Sequence, residues 1–598
     1  MNLSRGWNTW NVRSVLSHVL LPDAFGISLG IKSYATGRCL RESLIGRKGK
    51  DDEIVVPGPR SYDGAYTSLE LTWQDVKVRV ETASRGDNWF ALVTPLQEQV
   101  MTATLTIEAH ALWGRDGFCR YAEDGLIVQN ASRRLSVVAT GQRLHEPVVE
   151  ITGPYLLLAL DRPVCISTDP SQLEDVASIV AQHKQDFLKT RIGKNPQQQE
   201  IYDAMQICLA WDTIYDPFKD RVISPVSRIW SCDWGGWVLF DWDTYFAAWM
   251  AGLEDKELAY ANARAITNEV TENGFIPNMA TASGFKSRDR SQPPVGALTV
   301  RALCDLFEET ILAEELFDVL LQWNRWWPQY RDQDGYLCWG SNPYAPLTGC
   351  KYETVPLNTR FASALESGLD NSPMYKDIPY DADASRMQMA DVGLMSFYIT
   401  DCRELAELAR RIGRDDVVRE LLERAEAYAG KLKTLWCEKT GLFLNKRLDT
   451  GEFQHRYSPT HFYPLLAKVA TQEQAQRMID EHFFHPEEFW GEWILPSIAR
   501  NDKEYPLQNY WKGRIWAPMN FLVYLGLCNY DLPEARKALV EKSEALLLKE
   551  WREHGHVHEN YNADTGEGCG IGNSDAFYHW GGLLGLVSVL EHQMRDNA

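Results

Sequence analysis

None of the twelve cysteines, scattered from Cys39 to Cys569, stands in a Cys-x-x-Cys pair or at the close spacings of a structural zinc site. This usage fits a reduced compartment. Long apolar runs are missing too: stretches such as Leu156–Leu160 and Leu583–Leu590 fall far short of the roughly 18 residues of a membrane span. Residues 1–20 carry Arg5 and Arg13 through a polar, Trp-rich stretch without the apolar centre of a secretory signal. Positive charge is in deficit as well, with 61 Lys and Arg against 82 Asp and Glu, a formal net charge of −21. Such a field repels phosphate backbones and anionic lipid headgroups, so neither nucleic acid nor a membrane is expected as a partner. A cytoplasmic, soluble protein is expected. With 45% hydrophobic and 24% charged residues, the composition excludes long disordered or collagenous segments. At one domain per roughly 150 residues, 598 residues allow about four, and helical barrels of several hundred residues bring the expectation to two or three.

The pattern changes character near residue 170. Before it, alternation has period two: Leu69, Leu71 and Trp73 share one face, and Val76, Val78 and Val80 interleave with Lys77, Arg79 and Glu81. Leu105–Ile107, Leu135–Val138 and Tyr155–Leu160 continue it, joined by segments rich in Gly, Asp, Pro and Asn. An antiparallel β-sandwich over residues 1–170 is predicted. Residues 171–195 read as a linker helix, with Val176, Ile179, Val180 and Phe187 at helical spacing and a stop at Gly193-Lys194-Asn195-Pro196.

From 196 to 598 about twelve helices are predicted, near 197–213, 241–252, 255–271, 295–310, 312–330, 382–412, 415–436, 460–469, 472–482, 516–527, 533–551 and 575–591. Twelve helices are the arithmetic of a double ring of six hairpins, an (α/α)6 barrel, and no fixed-length repeat suggests a solenoid.

The chemistry-bearing residues fall between these helices. Glu366-Ser367-Gly368-Leu369-Asp370 sets two carboxylates around a glycine, and Glu559-Asn560-Tyr561-Asn562 sets another among amide and aromatic groups. Hydrolysis of a glycosidic bond needs one protonated carboxyl to donate to the leaving oxygen and one ionised carboxylate to activate water or attack the sugar. The 22 tryptophans often stand beside polar residues, as in Trp7-Asn8-Thr9-Trp10 and Asp241-Trp242-Asp243, and flat indoles beside Asp, Asn and Arg suit a carbohydrate pocket. Tyr510-Trp511-Lys512-Gly513-Arg514-Ile515-Trp516 adds two cations and two indoles before a predicted helix. His554, His556 and His558 alternate without a clear fourth metal ligand, and Asp332-Gln333-Asp334-Gly335 reads as an Asp-Gly turn, so no metal and no cofactor is expected.

Together, Trp242-Asp243-Thr244, Gly274-Phe275-Ile276-Pro277-Asn278, Glu366-Ser367-Gly368-x-Asp370, Tyr510 to Trp516 and Glu559 to Asn562 resemble glycoside hydrolase family 63 and its bacterial α-glucosidase relatives. The resemblance implies an (α/α)6 barrel behind an N-terminal β-sandwich and inversion of anomeric configuration. It makes Asp370 the general acid and Glu559 the general base. In those relatives the acid lies between Arg and Asp, whereas Leu369 and Asn371 stand here, and their calcium loop is shortened. Asp243 and Arg514 are assigned to holding the sugar. Trp242, Trp511 and Trp516 are assigned to the walls. Asn278, Glu366, Gly368, Lys512, Tyr561, Trp7 and Trp10 complete the expected substrate-binding set. The expected substrate is a disaccharide or short oligosaccharide, most simply an α-glucoside cleaved from its end. The rival readings are a sugar epimerase or isomerase using His461, His556 or His558, a polysaccharide lyase, and a catalytically silent sugar-binding protein.

Overall fold

A computed structural model describes residues 8–46, 53–97, 103–191, 195–343, 355–568 and 574–597. The chain divides into two compact units, Met1–Trp237 with His554–His556, and Val238–Glu553 with Val557–Ala598.

The first unit contains two antiparallel sheets. One runs in the order Asn8–Asn11, Ser14–Leu20, Phe25–Ser33, Ala103–Ala111, Tyr155–Ala159, with Cys39–Leu40 paired to Phe25–Ser33. The other has eight strands, ordered Phe118–Tyr121, Gly125–Gln129, Arg134–Ala139, Val164–Ser167, Asn88–Pro95, Val76–Arg85, Tyr66–Trp73, Ile54–Arg60. The predicted alternation becomes register: Leu69, Leu71 and Trp73 stand opposite Val80, Val78 and Val76, all buried, while Glu70 accepts from Arg79 at 2.7 Å on the other face. Helix α1 (Val176–Lys189) lies where a linker was expected. Its Val176, Ile179, Val180 and Phe187 pack on Tyr66, Ala83 and Phe90, so it belongs to the core of this unit. Helix α2 (Pro196–Asp212) packs against Ile54–Arg60, and the Trp211 indole donates to the Gly58 carbonyl at 2.8 Å. The compact unit therefore extends past residue 195, through the short helix α3 (Arg228–Asp233), to Trp237.

The second unit is helical: α4 (Asp241–Gly252), α5 (Lys256–Thr267), α6 (Gly296–Phe307), α7 (Ile311–Arg331), α8 (Arg360–Glu366), α9 (Val392–Arg411), α10 (Asp415–Lys433), α11 (Tyr463–Leu466), α12 (Gln472–Met478), α13 (Ala517–Leu527), α14 (Pro533–His554) and α15 (Leu583–Asn597). Six of them pack in a closed cycle, α4 on α6, α6 on α9, α9 on α11, α11 on α13, α13 on α15 and α15 on α4. Side-chain pattern separates these from their neighbours. Every residue of α4 is buried, as befits a helix enclosed on all sides, whereas α10 buries the single stripe Val417, Leu421, Ala425, Tyr428, Leu432 against α9. The helix predicted from 382 starts only at Val392, because Tyr380–Asp381 pairs with Arg386–Met387 and Asp391 caps α9 by accepting from the Leu394 N–H at 2.8 Å. Among the described residues no helix is long and apolar enough to cross a membrane.

Burial of carboxyl groups in this unit has a thermodynamic consequence. Asp401 on α9 accepts one hydrogen bond, from Asn324 Nδ2 at 2.7 Å, and burial pushes its pKa up to about 7. Between the ordinary carboxyl range and that value, the folded state holds a proton that the unfolded chain has lost, so stability falls as pH rises through this window. Asp401→Asn is expected to stabilise the protein by roughly 1–3 kcal/mol at pH 8 and to change it little near pH 4. Urea midpoints at the two pH values measure this.

Candidate active site

The residues expected to carry chemistry meet where the segments preceding α4, α13 and α15 approach the loop after α8. The first turn of α4 presents buried Trp242 and Asp243. Asp243 Oδ1 accepts from the Tyr578 hydroxyl at 2.7 Å, and burial, assisted by the charge of Asp370, lifts the Asp243 pKa to about 7. After Glu366 the chain turns at Gly368, whose φ of +72° is costly for residues with a Cβ. A Cβ there would also come 2.8 Å from Trp242 Cζ2, so the loop carrying Asp370 lies directly on that indole. Gly368→Ala is expected to cost about 1–2 kcal/mol and to lower kcat, read from a denaturant midpoint and steady-state rates. Asn278 Nδ2 donates to the Leu365 carbonyl at 3.2 Å, holding the same turn from the other side.

Half-buried Asp370 is followed by Asn371, whose Oδ1 accepts from the Trp511 N–H at 2.8 Å. One residue back, the Tyr510 hydroxyl donates to Glu559 Oε1 at 2.9 Å. The Asp575 N–H donates to Glu559 Oε2 at 2.6 Å, and the Trp580 indole donates to the Glu559 carbonyl at 2.8 Å. Both carboxyl oxygens of Glu559 are thus acceptors. Burial raises its pKa well above the usual glutamate range, Asp575 and Asp370 add to this, and the two donors oppose it. The charge of Asp370 acts on Glu559, Asp243 and Tyr510, which places these side chains in one electrostatic neighbourhood. Tyr510 has φ +59°, a backbone conformation rarely held by a tyrosine without surrounding restraint.

Indoles surround this cluster. Trp511 and Trp516 stack at 3.6 Å and 7° between planes, and the Trp580 ring stands edge-on to Trp242 at 5.8 Å and to Trp516 at 5.5 Å. The Trp516 N–H is fixed by the Tyr510 carbonyl at 3.1 Å.

Several expected sugar ligands have other work. Glu366 is fully buried and saturated: Arg331 Nε and Nη2 donate to its two oxygens at 2.6 and 2.7 Å, and the Gly340 and Ser291 N–H groups add bonds at 2.6 and 3.1 Å. Through these bonds it braces the loop. Lys512 pairs with Glu504 at 3.0 Å; burial pushes Glu504 up, but Lys512 and Lys376 overcome it and hold that carboxyl at about 2. Arg514 is buried and donates to Asn560 Oδ1 and to the Gln508 and Glu567 carbonyls at 3.4 Å, fixing the segment around Glu559. The Tyr561 ring is buried, and its hydroxyl accepts from the His558 N–H at 3.1 Å. His461, a base in the epimerase reading, is buried with its Nδ1 accepting from the Ser458 N–H at 3.0 Å, and burial lowers its pKa to about 4. Trp10 lies in the interior of the first unit against His18 and Trp211, unavailable to stack on a sugar, and Trp7 lies outside the described residues.

Sequence reasoning missed Tyr510, Tyr578, Trp580 and the Asp575 N–H. The aromatic run Tyr578-His579-Trp580 before α15 was an available signal, whereas a backbone donor leaves none. Removal of the hydroxyl in Tyr510→Phe takes away a donor that favours the ionised form of Glu559. Its pKa should therefore rise, moving the acidic limb of the kcat/KM profile upward by about one pH unit.

A family model, described as the mannosylglycerate hydrolase MGH1-like glycoside hydrolase domain, matches residues 237–580. Mannosylglycerate hydrolase MGH1 of Selaginella moellendorffii is 23% identical over 411 residues, covering 56% of this chain and 77% of that protein. Mannosylglycerate hydrolase of Thermus thermophilus is 26% identical over 321 residues, covering 47% and 73%. Among solved structures, a bacterial glucoamylase complexed with acarbose superposes with a TM-score of 0.55 at 11% identity, covering 98% of this chain and 94% of the other, a likeness of fold alone. Because the family match spans more than half of the 598 residues, the chain belongs to the MGH1-like glycoside hydrolases of glycoside hydrolase family 63.

Proposed function

We propose that this hydrolase cleaves an α-glycosidic bond by single displacement with inversion, Asp370 acting as general acid and Glu559 as general base. The observation that carries the reading is the linkage of the two carboxyl groups through Asn371, Trp511 and Tyr510, together with the effect of the Asp370 charge on Glu559. Glu559, an acceptor at both oxygens, takes a proton from a water on one face of the sugar. Asp370 gives its proton to the departing oxygen on the other as oxocarbenium character develops. Room for that water requires roughly 6.5–9.5 Å between the carboxyl groups, against about 5–5.5 Å for a retaining pair. Asp243, poised near pH 7 beside Tyr578, bonds the hydroxyls of the sugar to be released, and Trp242, Trp511 and Trp516 give it apolar surface. The closed cycle of α4, α6, α9, α11, α13 and α15 is the inner ring of an (α/α)6 barrel in this reading, and the two N-terminal sheets form a β-sandwich.

The substrate is an α-glucoside, a disaccharide or short oligosaccharide cut from its end. Mannosylglycerate is a second reading, favoured by the description of the family model matched over residues 237–580 and by the names of two relatives. A panel of aryl α- and β-glucosides and mannosides, α-linked disaccharides and mannosylglycerate separates the two. Turnover of α-glucosides with little on mannosylglycerate supports the first; the reverse order replaces it with the second; and turnover of β-glycosides alone contradicts both.

A further inference from the structure

The interior of the first unit gathers hydrogen-bond donors that its own acceptors do not satisfy. Arg60, 2% exposed, donates from Nη2 to Thr9 Oγ1 at 2.8 Å and to the Thr213 carbonyl at 3.1 Å. Its Nε and Nη1 meet no acceptor among the described residues. Arg228, fully buried, donates to the Trp211 and Asn11 carbonyls, the latter at 2.6 Å, and its Nη2 is likewise unmatched. The single N–H of the buried, neutral His18 ring and the indole N–H groups of Trp10 and Trp89 complete the set. The rings that carry or flank these groups are neighbours. The His18 ring lies 4.8 Å from Trp10 and 5.2 Å from Trp89, Trp10 lies 6.0 Å from Trp211, and the Arg60 guanidinium sits 5.2 Å over the Trp211 ring.

Charge is unbalanced there too. Among the described residues Asp212 is the one carboxylate whose charge acts on either guanidinium. Burial, with Arg60 nearby, lowers the His18 pKa to about 3, so its imidazole is neutral. Among the described residues, two guanidiniums against one carboxylate leave a single positive charge in a dry interior, where arginine keeps its proton and an unmatched charge is costly. Water can satisfy donors but cannot neutralise this charge. An anion does both.

We propose that the first unit binds a small monovalent anion of halide size, held by Arg60, His18 and the indole N–H groups of Trp10 and Trp89, with Arg228 alongside. The anion joins the N-terminal strand, through Thr9 and Asn11, to the end of α2 at Thr213, the segments these two arginines already bridge. The site therefore stabilises the first unit.

Crystals of the full chain grown in sodium bromide and measured at the bromine absorption edge test it, alongside thermal unfolding in sodium chloride and in sodium gluconate at equal ionic strength. The expected result is an anomalous peak between Arg60 and His18, together with a melting temperature lower in gluconate by about 2–4 °C or more. That difference is expected to vanish in His18→Phe, which keeps an aromatic ring between Trp10 and Trp89, and in Arg60→Gln, which serves if the first variant does not fold. Ordered water in place of the peak overturns the proposal. So does a peak without any halide dependence in solution, which marks an adventitious ion only, and so does a dependence that survives both substitutions.

Discussion

Asp370→Asn and Glu559→Gln are each expected to lower kcat on natural α-glycosides by about 10²–10⁴-fold, the usual worth of a positioned proton donor or acceptor. Both replacements preserve shape, and Asp370 is half-buried, so the fold and sugar binding should persist, checked by denaturant midpoints and by titration with a product sugar. The two variants should then diverge with the leaving group. An aryl oxide of low basicity departs without a proton, so Asp370→Asn should recover much of its rate on activated aryl glycosides. Glu559→Gln should not, because water still lacks its base. Equal recovery in both variants would remove the assignment of separate roles.

The second large effect is expected at Arg331→Met. This change leaves the Glu366 carboxylate in a fully buried place with the two backbone donors of Gly340 and Ser291 but no cation. Breaking one side of a buried pair of this geometry costs roughly 3–5 kcal/mol. The same variant removes the hydrogen bond from Arg331 to Asn342 Oδ1 at 2.7 Å and the guanidinium that lies 4.6 Å over the Trp326 ring. Glu366 ends α8 four residues before Asp370, so kcat should fall together with the urea midpoint. The double variant Arg331→Met with Glu366→Gln should be less destabilised than the sum of the singles, since it leaves no charge unpaired. Full additivity would mean that the two side chains do not act as a pair.

What the chain reveals before folding depends on whether its signal is local. The hairpin Tyr66–Trp73 with Val76–Arg85 was legible because alternation and register are properties of neighbouring residues. The starts of α2, α4 and α10 were legible for the same reason. Asp370 and Glu559 stood out because carboxylates flanked by Gly, Ser and Asn lie outside the helical pattern. Glu366 had the same local appearance as Asp370, and its role turns on Arg331 at the end of α7, 35 residues away in the chain. Arg514 and Lys512 stood in a motif of aromatic residues and were assigned to the sugar, yet Arg514 donates to Asn560 and Lys512 pairs with Glu504. Tyr510 was visible as a residue, but its left-handed backbone, which accompanies the bond to Glu559, has no signature in a tyrosine. The strands before α9 and the packing of α1 on Tyr66 and Phe90 are also tertiary outcomes that periodicity does not encode.

In the proposed displacement, two carboxyl groups 189 positions apart act on opposite faces of one sugar with a water between them. Proton NMR of the first minutes of hydrolysis of an α-glycoside substrate tests it most directly, before mutarotation mixes the products. The β-anomer of the released sugar is expected first, with the α-anomer following at the uncatalysed rate. Initial release of the α-anomer would mean double displacement through a covalent intermediate and would contradict it.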